Sequence, residues 1–308
     1  MTTPLFSEKQ ALLEGRLSKP EFIATMHERY HQLLFAYSHY IKETDIARIE
    51  ITDDSVIMVT RQHGFKLLCN PHDQRTVPIE ILNFGAYEQE ELECIFNLLS
   101  STSVILDIGA NCGYYSLHLA RHYPSSKVYA FEPVPATFEN LQRNLDLNHV
   151  ANVTAYNVGL SNKAATLPIY FYKQGSGNSS LQNLSGGEEV VQVDCKFRTL
   201  DSYIEEITEP IDFIKCDVEG AELLVLEGGL DMIRKNKPIL LFELLRKWAA
   251  KFNYHPNDVL QILEQLDYRC FAVESGKIAP IEKIEDHTRQ TNFVFLHRDK
   301  HAAIFQVE

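Results

Sequence analysis

Several familiar signatures are missing from this chain of 308 residues, and each absence narrows what it can do. The six cysteines, at positions 69, 94, 112, 195, 216 and 270, form no Cys-x-x-Cys pair. That argues against a zinc site or a disulfide framework and for reduced thiols in a cytosolic protein. No window approaches about 18 consecutive apolar residues, so no membrane-spanning helix is expected. The first ten residues lack the basic and apolar regions of a secretory leader, and a cytoplasmic location follows as the expectation. Cations are also scarce. Lys and Arg number 29 against 42 Asp and Glu, a formal charge of −13, with no basic run. Nucleic acid and anionic membrane surfaces demand a basic face, so neither is an expected partner. Finally, there is no Gly-Lys-Ser/Thr of a phosphate loop and no Gly-x-Gly-x-x-Gly of a dinucleotide site.

What is present reads as a globular α/β chain. Hydrophobic residues make up 45% and charged ones 23%, ordinary values for one large core with an accessory cap. Over residues 1–45, Phe22, Ile23, Met26, Tyr30, Leu33, Leu34, Tyr37 and Ile41 recur every three to four positions, a helical stripe. The stripe is expected to pack on the main domain or to form a subunit interface, as in a homodimer. Residues 48–69 hold three short β-like runs separated by Asp53-Asp54 and His63-Gly64, a small antiparallel meander. The expected division is a cap over 1–85, with substrate or oligomer contacts, and a catalytic domain over 86–308.

An acidic helix is expected over 87–99. From residue 104 onward strands alternate with helices, which predicts a mostly parallel Rossmann-like sheet. Its strands are expected near 104–108, 127–133, 153–161, 211–220 and 238–245. Residues 165–172 extend an edge, and residues 268–273 and 292–296 form an antiparallel edge pair. The Gly/Ser/Asn-rich stretch 174–187 predicts a mobile loop, either a surface linker or an active-site lid.

The stretch from Val104 to Ser116 organises the rest. Its apolar run ends at Asp107, Gly109 and Gly113 follow four apart, and a helical pattern begins. Glycines allow a ligand to approach the backbone, and the helix N-terminus points N–H groups into the turn. An acid before the turn repels a pyrophosphate but attracts the sulfonium of S-adenosylmethionine. Asn111 in the turn and the missing third glycine favour the same cofactor.

Four strands end in acids, namely Asp107, Glu132, Asp217 and Glu243. Ligands of open parallel sheets bind at the carboxyl ends of strands, so these side chains are expected to converge on one crevice. Glu132, at the end of the next strand, suits both hydroxyls of an adenosine ribose. Asp107 and the Gly109–Gly113 turn are expected to hold the methionine end, and Asn157 or Val158 to edge the adenine. Asp217, Glu219 and Glu243 remain for the substrate, with Asp217 the first choice of base.

The motifs Asp107-Ile-Gly109-Ala-Asn111-x-Gly113-x-x-Ser116, Phe131-Glu132-Pro133, Asn157-Val158-Gly159-Leu160-Ser161 and Ile214-Lys215-x-Asp217-Val218-Glu219-Gly220-Ala221-Glu222 together resemble the FkbM-like family of S-adenosylmethionine-dependent methyltransferases. The resemblance covers roughly residues 85 to 245, and Leu82-Asn83-Phe84-Gly85-x-Tyr87-Glu88 is similar to the element before the first motif. It implies a class I methyltransferase fold and cofactor contacts that include Tyr87, Ser116 and Pro133. It also implies O-methylation of a small molecule, such as a polyketide, peptide, glycan or related secondary metabolite, typically in bacteria. A divalent metal on Asp217 and Glu243 is the weaker mechanistic reading, and the scattered histidines suggest no metal site. The sequence after Asp217 lacks the Asn/Asp-Pro-Pro-Tyr/Phe element of base N-methylation. An NAD-linked oxidoreductase and a non-catalytic cofactor-binding module remain as alternatives.

Overall fold

The computed structural model describes residues 3–99, 104–172, 174–184 and 190–306. Residues 185–187 of the expected loop lie outside that part. The N-terminal third holds α1 (Pro4–Leu13), α2 (Lys19–Met26), α3 (Gln32–Tyr40), β1 (Ile46–Ile51), β2 (Val56–Thr60), β3 (Lys66–Leu68), α4 (Val77–Phe84) and α5 (Gln89–Leu98). Then come β4 (Val104–Ile108), α6 (Tyr114–His122), β5 (Lys127–Phe131), α7 (Pro135–Leu147), β6 (Val153–Tyr156), β7 (Gly159–Leu160), β8 (Ala165–Tyr172) and β9 (Val190–Arg198). The remainder is β10 (Phe213–Cys216), α8 (Glu222–Glu227), α9 (Leu230–Asn236), β11 (Ile239–Glu243), α10 (Arg246–Ala249), α11 (Pro256–Gln265), β12 (Tyr268–Glu274), β13 (Lys277–Pro280) and β14 (Asn292–His297).

The main sheet has eight strands in the order β13-β12-β14-β11-β10-β4-β5-β6. From β11 to β6 the pairs are parallel, whereas β14, β12 and β13 run antiparallel to their neighbours. Every residue of β4 and β10 is buried, because helices cover both faces and leave no polar side to alternate. Period two still decides which face each residue serves. Ile105, Phe213, Ile239 and Leu241 pack under α5 and α6, while Leu106, Ile214, Leu240 and Phe242 pack with α8, α9 and α11. Full burial of such side chains contributes about 1.5–3 kcal/mol each. By the same alternation Asp107, Lys215 and Glu243 share the α5/α6 face, with Asp107 directly opposite Lys215 in register.

Two expectations about the elements need correction. The run 153–161 is two strands: β6 ends the main sheet, and β7 joins β9 and β8 in a separate three-stranded sheet. The break falls at Asn157, whose side-chain amide donates to the carbonyls of Glu132 and Pro133 at 2.9 and 3.1 Å and draws the chain over the end of β5. Residues 165–172 therefore extend this second sheet, not the main one, and pair along their whole length with β9. Its apolar face gathers Val134, Ile169, Cys195 and Phe197.

At the N-terminus the expectation is packing on the main domain or a subunit interface. The helices form as expected: the Ser18 N–H donates to Glu21 Oε2 at 2.8 Å, half of a capping box. A π turn over His27–His31 links α2 to α3. Ile41 at the end of the stripe packs against the main core, but Leu33 and Leu34 are 54% and 57% exposed, so that part of the stripe does not pack into it. The meander β1–β3 does. Ile46, Phe65 and Leu67 belong to the same cluster as Ile105 and Leu117, across residue 85. Asn148 and Asn144 of α7 accept the N–H groups of Lys66 and Leu68 at 2.9 Å, satisfying the edge of β3. Asn144 also donates to the Cys112 carbonyl at 2.8 Å, tying the meander to the turn after β4.

Candidate active site

The turn after β4 is built by backbone geometry. The N–H groups of Gly109 and Ala110 both donate to the Phe131 carbonyl at 3.0 Å. Gly109, Asn111 and Gly113 all have positive φ, at 80°, 49° and 86°, conformations that cost little only for Gly and Asn. A Cβ on Gly109 would fall on the carbonyl oxygen of Asp217, so this glycine lets the two ligand-facing turns touch. A Cβ on Gly113 would meet only the end of the Leu141 side chain.

Asp107 lies one layer behind that turn. It is fully buried, its Oδ2 accepts the Ser116 hydroxyl at 2.6 Å, and its Oδ1 has no hydrogen-bond partner among the described residues. Burial pushes its carboxyl up, opposed by the Lys215 ammonium. Asp107, Gly113 and Ser116 thus shape the turn from behind and are not walls of the crevice.

The crevice itself has a volume of about 550 Å³ and lies over the carboxyl ends of β4, β5, β10 and β11. Tyr87, Gly109, Asn111, Glu132, Pro133, Asp217, Glu219 and Glu243 all line it, and so converge as expected. Glu132 is held rigidly: its Oε2 accepts the Asn111 N–H at 3.0 Å and its Oε1 accepts the Val134 N–H at 2.9 Å. Burial, only partly offset by those bonds, pushes its carboxyl up to about 7. Beside Glu132 the wall is apolar, formed by Val134, Leu160, Ile169, Leu181 and Phe197. Much of it comes from the second sheet. Asn157 and Val158 are not in this wall; they border a separate shallow recess with Ala165 and Arg198.

Across the crevice the carboxylates of Asp217, Glu219 and Glu243 present oxygens within 4.8 Å of one another. These three would be the ligands of a divalent ion, and one of them, Asp217, also pairs with a cation of the chain. Lys215 Nζ lies 2.9 Å from Asp217 Oδ2 and 4.4 Å from the centre of the Tyr115 ring. Burial works against the Lys215 charge, but the carboxylates of Asp217, Asp107 and Glu88 outweigh it and raise its pKa. Burial first, and then the surrounding carboxylates, push Glu219 and Glu243 upward as well.

The loop that carries these acids is locked from below. Glu219 and Gly220 have φ of 54° and 98°. Glu222 Oε1 accepts the N–H groups of Val218 and Gly220 at 3.1 Å, and its Oε2 accepts the Tyr254 hydroxyl at 3.0 Å. Glu222 is therefore a brace. From above, the buried Ser180 donates its hydroxyl to the Glu219 carbonyl at 2.8 Å. The described part of the expected loop thus reaches across the crevice mouth, where Gly177, Asn178 and Leu181 add to its wall.

Sequence reasoning assigned no role to Lys215, although a lone cation in the apolar run 213–216 was the signal available. Glu88, quoted with Tyr87 in the element before the first motif but given no role, also lines the crevice, at φ 44° and raised by burial. Arg75, Glu80, Lys247 and Trp248 join from segments without motifs.

Comparison with known proteins agrees with this layout. The model of the methyltransferase FkbM domain matches residues 107–270, more than half of the chain and all four strand-end acids. Methyltransferase 1 of Beauveria bassiana is 39% identical over 146 residues, covering 41% of this chain and 58% of that protein. Methyltransferase sdnD of Sordaria araneosa is 38% identical over 159 residues, covering 42% and 61%. The 31-O-demethyl-FK506 methyltransferase FkbM of Streptomyces tacrolimicus is 28% identical over 156 residues, covering 42% and 60%. The chain spans about three fifths of the length of these relatives. On a family model matched over more than half of its length, this chain belongs to the FkbM family of methyltransferase domains.

Proposed function

We propose that the chain is an S-adenosylmethionine-dependent O-methyltransferase acting on a hydroxyl of a small molecule. One observation carries the reading. A rigid, buried acceptor for a ribose diol (Glu132) and a cluster of raised carboxyls around Asp217 face each other across one crevice. The residues fit the cofactor: Gly109 leaves the turn bare, Glu132 is pre-aligned by two backbone N–H groups, and the apolar wall beside it suits an adenine. When bound, the cofactor supplies a methyl on a sulfonium sulfur, which keeps the carbon–sulfur electron pair as the new carbon–oxygen bond forms.

The chain's own residues do the rest. The crevice aligns acceptor and donor, and such alignment is worth up to about 7–11 kcal/mol of barrier. Asp217 takes the hydroxyl proton, while Lys215 fixes its position. Among relatives, the 31-O-demethyl-FK506 methyltransferase bears in its name a reaction at oxygen. No described helix is long and apolar enough to cross a membrane; a cytoplasmic setting, with self-association through the exposed N-terminal helices, completes the reading.

Calorimetric titration with S-adenosylmethionine, S-adenosylhomocysteine and NAD tests the cofactor. The first two are expected to bind, and tight binding of NAD alone would sink the proposal. Asp217→Asn is expected to keep cofactor affinity and to lower methyl transfer at least a hundredfold, read with methyl-labelled cofactor. Unchanged turnover would remove Asp217 from the mechanism.

A further inference from the structure

The chain exposes its large apolar side chains in one region. Among the described residues, twelve of thirteen such side chains lie between Leu5 and Phe84, and Val191 is the other. The arm formed by α1, α2, the π turn and α3 buries a single residue, Ala11, over 3–40. Most helical stability comes from packing an apolar face against another element, and this arm has none to pack against. Its charge is also distinct from that of the rest. Glu8, Glu14, Glu21 and Glu28 are balanced by Lys9, Arg16, Lys19 and Arg29, so the formal −13 is carried by the remaining residues.

Beside the arm lies a groove of about 1380 Å³. One wall is α3, through Leu33, Leu34 and Tyr37, and the floor is the β1–β2 hairpin, through Ile51, Val56 and Met58. All of these except Met58 are exposed, by 38% to 69%, so the groove opens to solvent. Its charged lining is of both signs, with Arg48 and Arg143 beside Asp54, Asp73 and Glu139. Small-molecule sites run to about 300–1000 Å³. This groove exceeds that range and has the apolar character that receives a helix.

We propose that the occupant is the helical arm of a second copy of the chain, exchanged reciprocally about a two-fold axis. This rests on the self-association stated above and not on the methyl-transfer chemistry. A convex apolar arm and a concave apolar groove sit side by side, and an isologous interface covers both at once. Because the arm is neutral and the groove carries both signs, two copies of an acidic chain meet here without opposing their excess charge. The area suffices. Phe6, Phe35, Tyr37 and Tyr40 are 62%, 66%, 44% and 48% exposed. At about 150–250 Å² per aromatic side chain, they alone leave roughly 300–550 Å² open. The exposed aliphatic side chains of the arm and hairpin bring the patch to the order of the ~800 Å² per partner of a stable interface. The groove also backs the crevice: on α4, Ile79 and Leu82 line the one, and Val77 and Glu80 the other.

Sedimentation velocity over about 1–100 µM reads the association. The parent is expected to be a dimer. Phe6→Asp on the arm and Ile51→Asp on the groove floor both replace exposed side chains. Each is expected to weaken the dimer about 30-fold or more, while the urea midpoint and the affinity for S-adenosylhomocysteine stay at the parent's values. Mixed together, the two variants are expected to regain dimer, because one arm–groove pair of the mixed dimer is fully native. A parent that stays monomeric, whether its groove is empty or takes a foreign helix, overturns the proposal. So does either variant dimerising as tightly as the parent, or a mixture that dimerises no better than its components. A parent that dimerises but does not bind S-adenosylhomocysteine would strike the methyl-transfer reading and leave this one standing.

Discussion

Replacing Glu132 with Gln isolates one carboxylate and tests the cofactor assignment at its most constrained point. Each Glu132 oxygen already accepts one backbone N–H, from Asn111 or Val134, and keeps a second lone pair, while the residue lines the crevice. A ribose diol using both would gain about 1.5–3 kcal/mol per charge-assisted bond. The amide keeps one acceptor and turns the other into a donor, so one bond is lost and one weakened. The expected loss is about 2–4 kcal/mol, or roughly 30- to 1000-fold in Kd for S-adenosylhomocysteine.

Glu132 also predicts a pH dependence. Burial raises its pKa to about 7 in the folded chain, and the diol needs the ionised acceptor. Cofactor affinity is thus expected to climb about tenfold per unit up to pH 7 and then level off. Stability of the unliganded protein moves the other way. A carboxyl whose folded pKa lies above its unfolded value binds more protons when folded. Its contribution is therefore full below about pH 4.5 and falls by about 3 kcal/mol as pH rises to 7. The Gln variant removes both dependences. Calorimetry from pH 5.5 to 8.5, with urea unfolding alongside, reads them together. A flat affinity profile in the parent, or a variant that binds as tightly, would refute the ribose assignment.

Two further substitutions probe the scaffold. Gly109→Ala combines a left-handed backbone with a Cβ on the Asp217 carbonyl and is expected to destabilise by more than about 3 kcal/mol. Gly113→Ala, which meets a flexible Leu141 terminus, is expected to cost about half as much; equal losses in urea unfolding would contradict the packing described. Lys215→Met leaves the Asp217 and Asp107 carboxylates without their cation and is expected to lose about 3–5 kcal/mol. An unchanged midpoint would show that the pair is not structural.

Much of the fold was written locally. The apolar run ending at Asp107, the glycine spacing and the recurring strand–helix rhythm are short-range patterns, and backbone sterics turn them into one answer. The convergence of Glu132, Asp217 and Glu243 followed as well, because parallel strands put their carboxyl ends on one edge whatever lies between them. What the sequence alone could not decide is what depends on contacts between distant segments. Whether 153–161 is one strand or two hangs on an Asn157 amide meeting carbonyls of the Glu132 loop. Whether Asp107 faces ligand or hides behind the turn is set by the Ser116 hydroxyl and the depth of β4. The apolar wall beside Glu132 and the contribution of Trp248 come from residues that carry no motif, because apolar contact requires only proximity and shape. The four acids therefore located the crevice, and tertiary packing decided which of them, and which unmarked neighbours, reach into it.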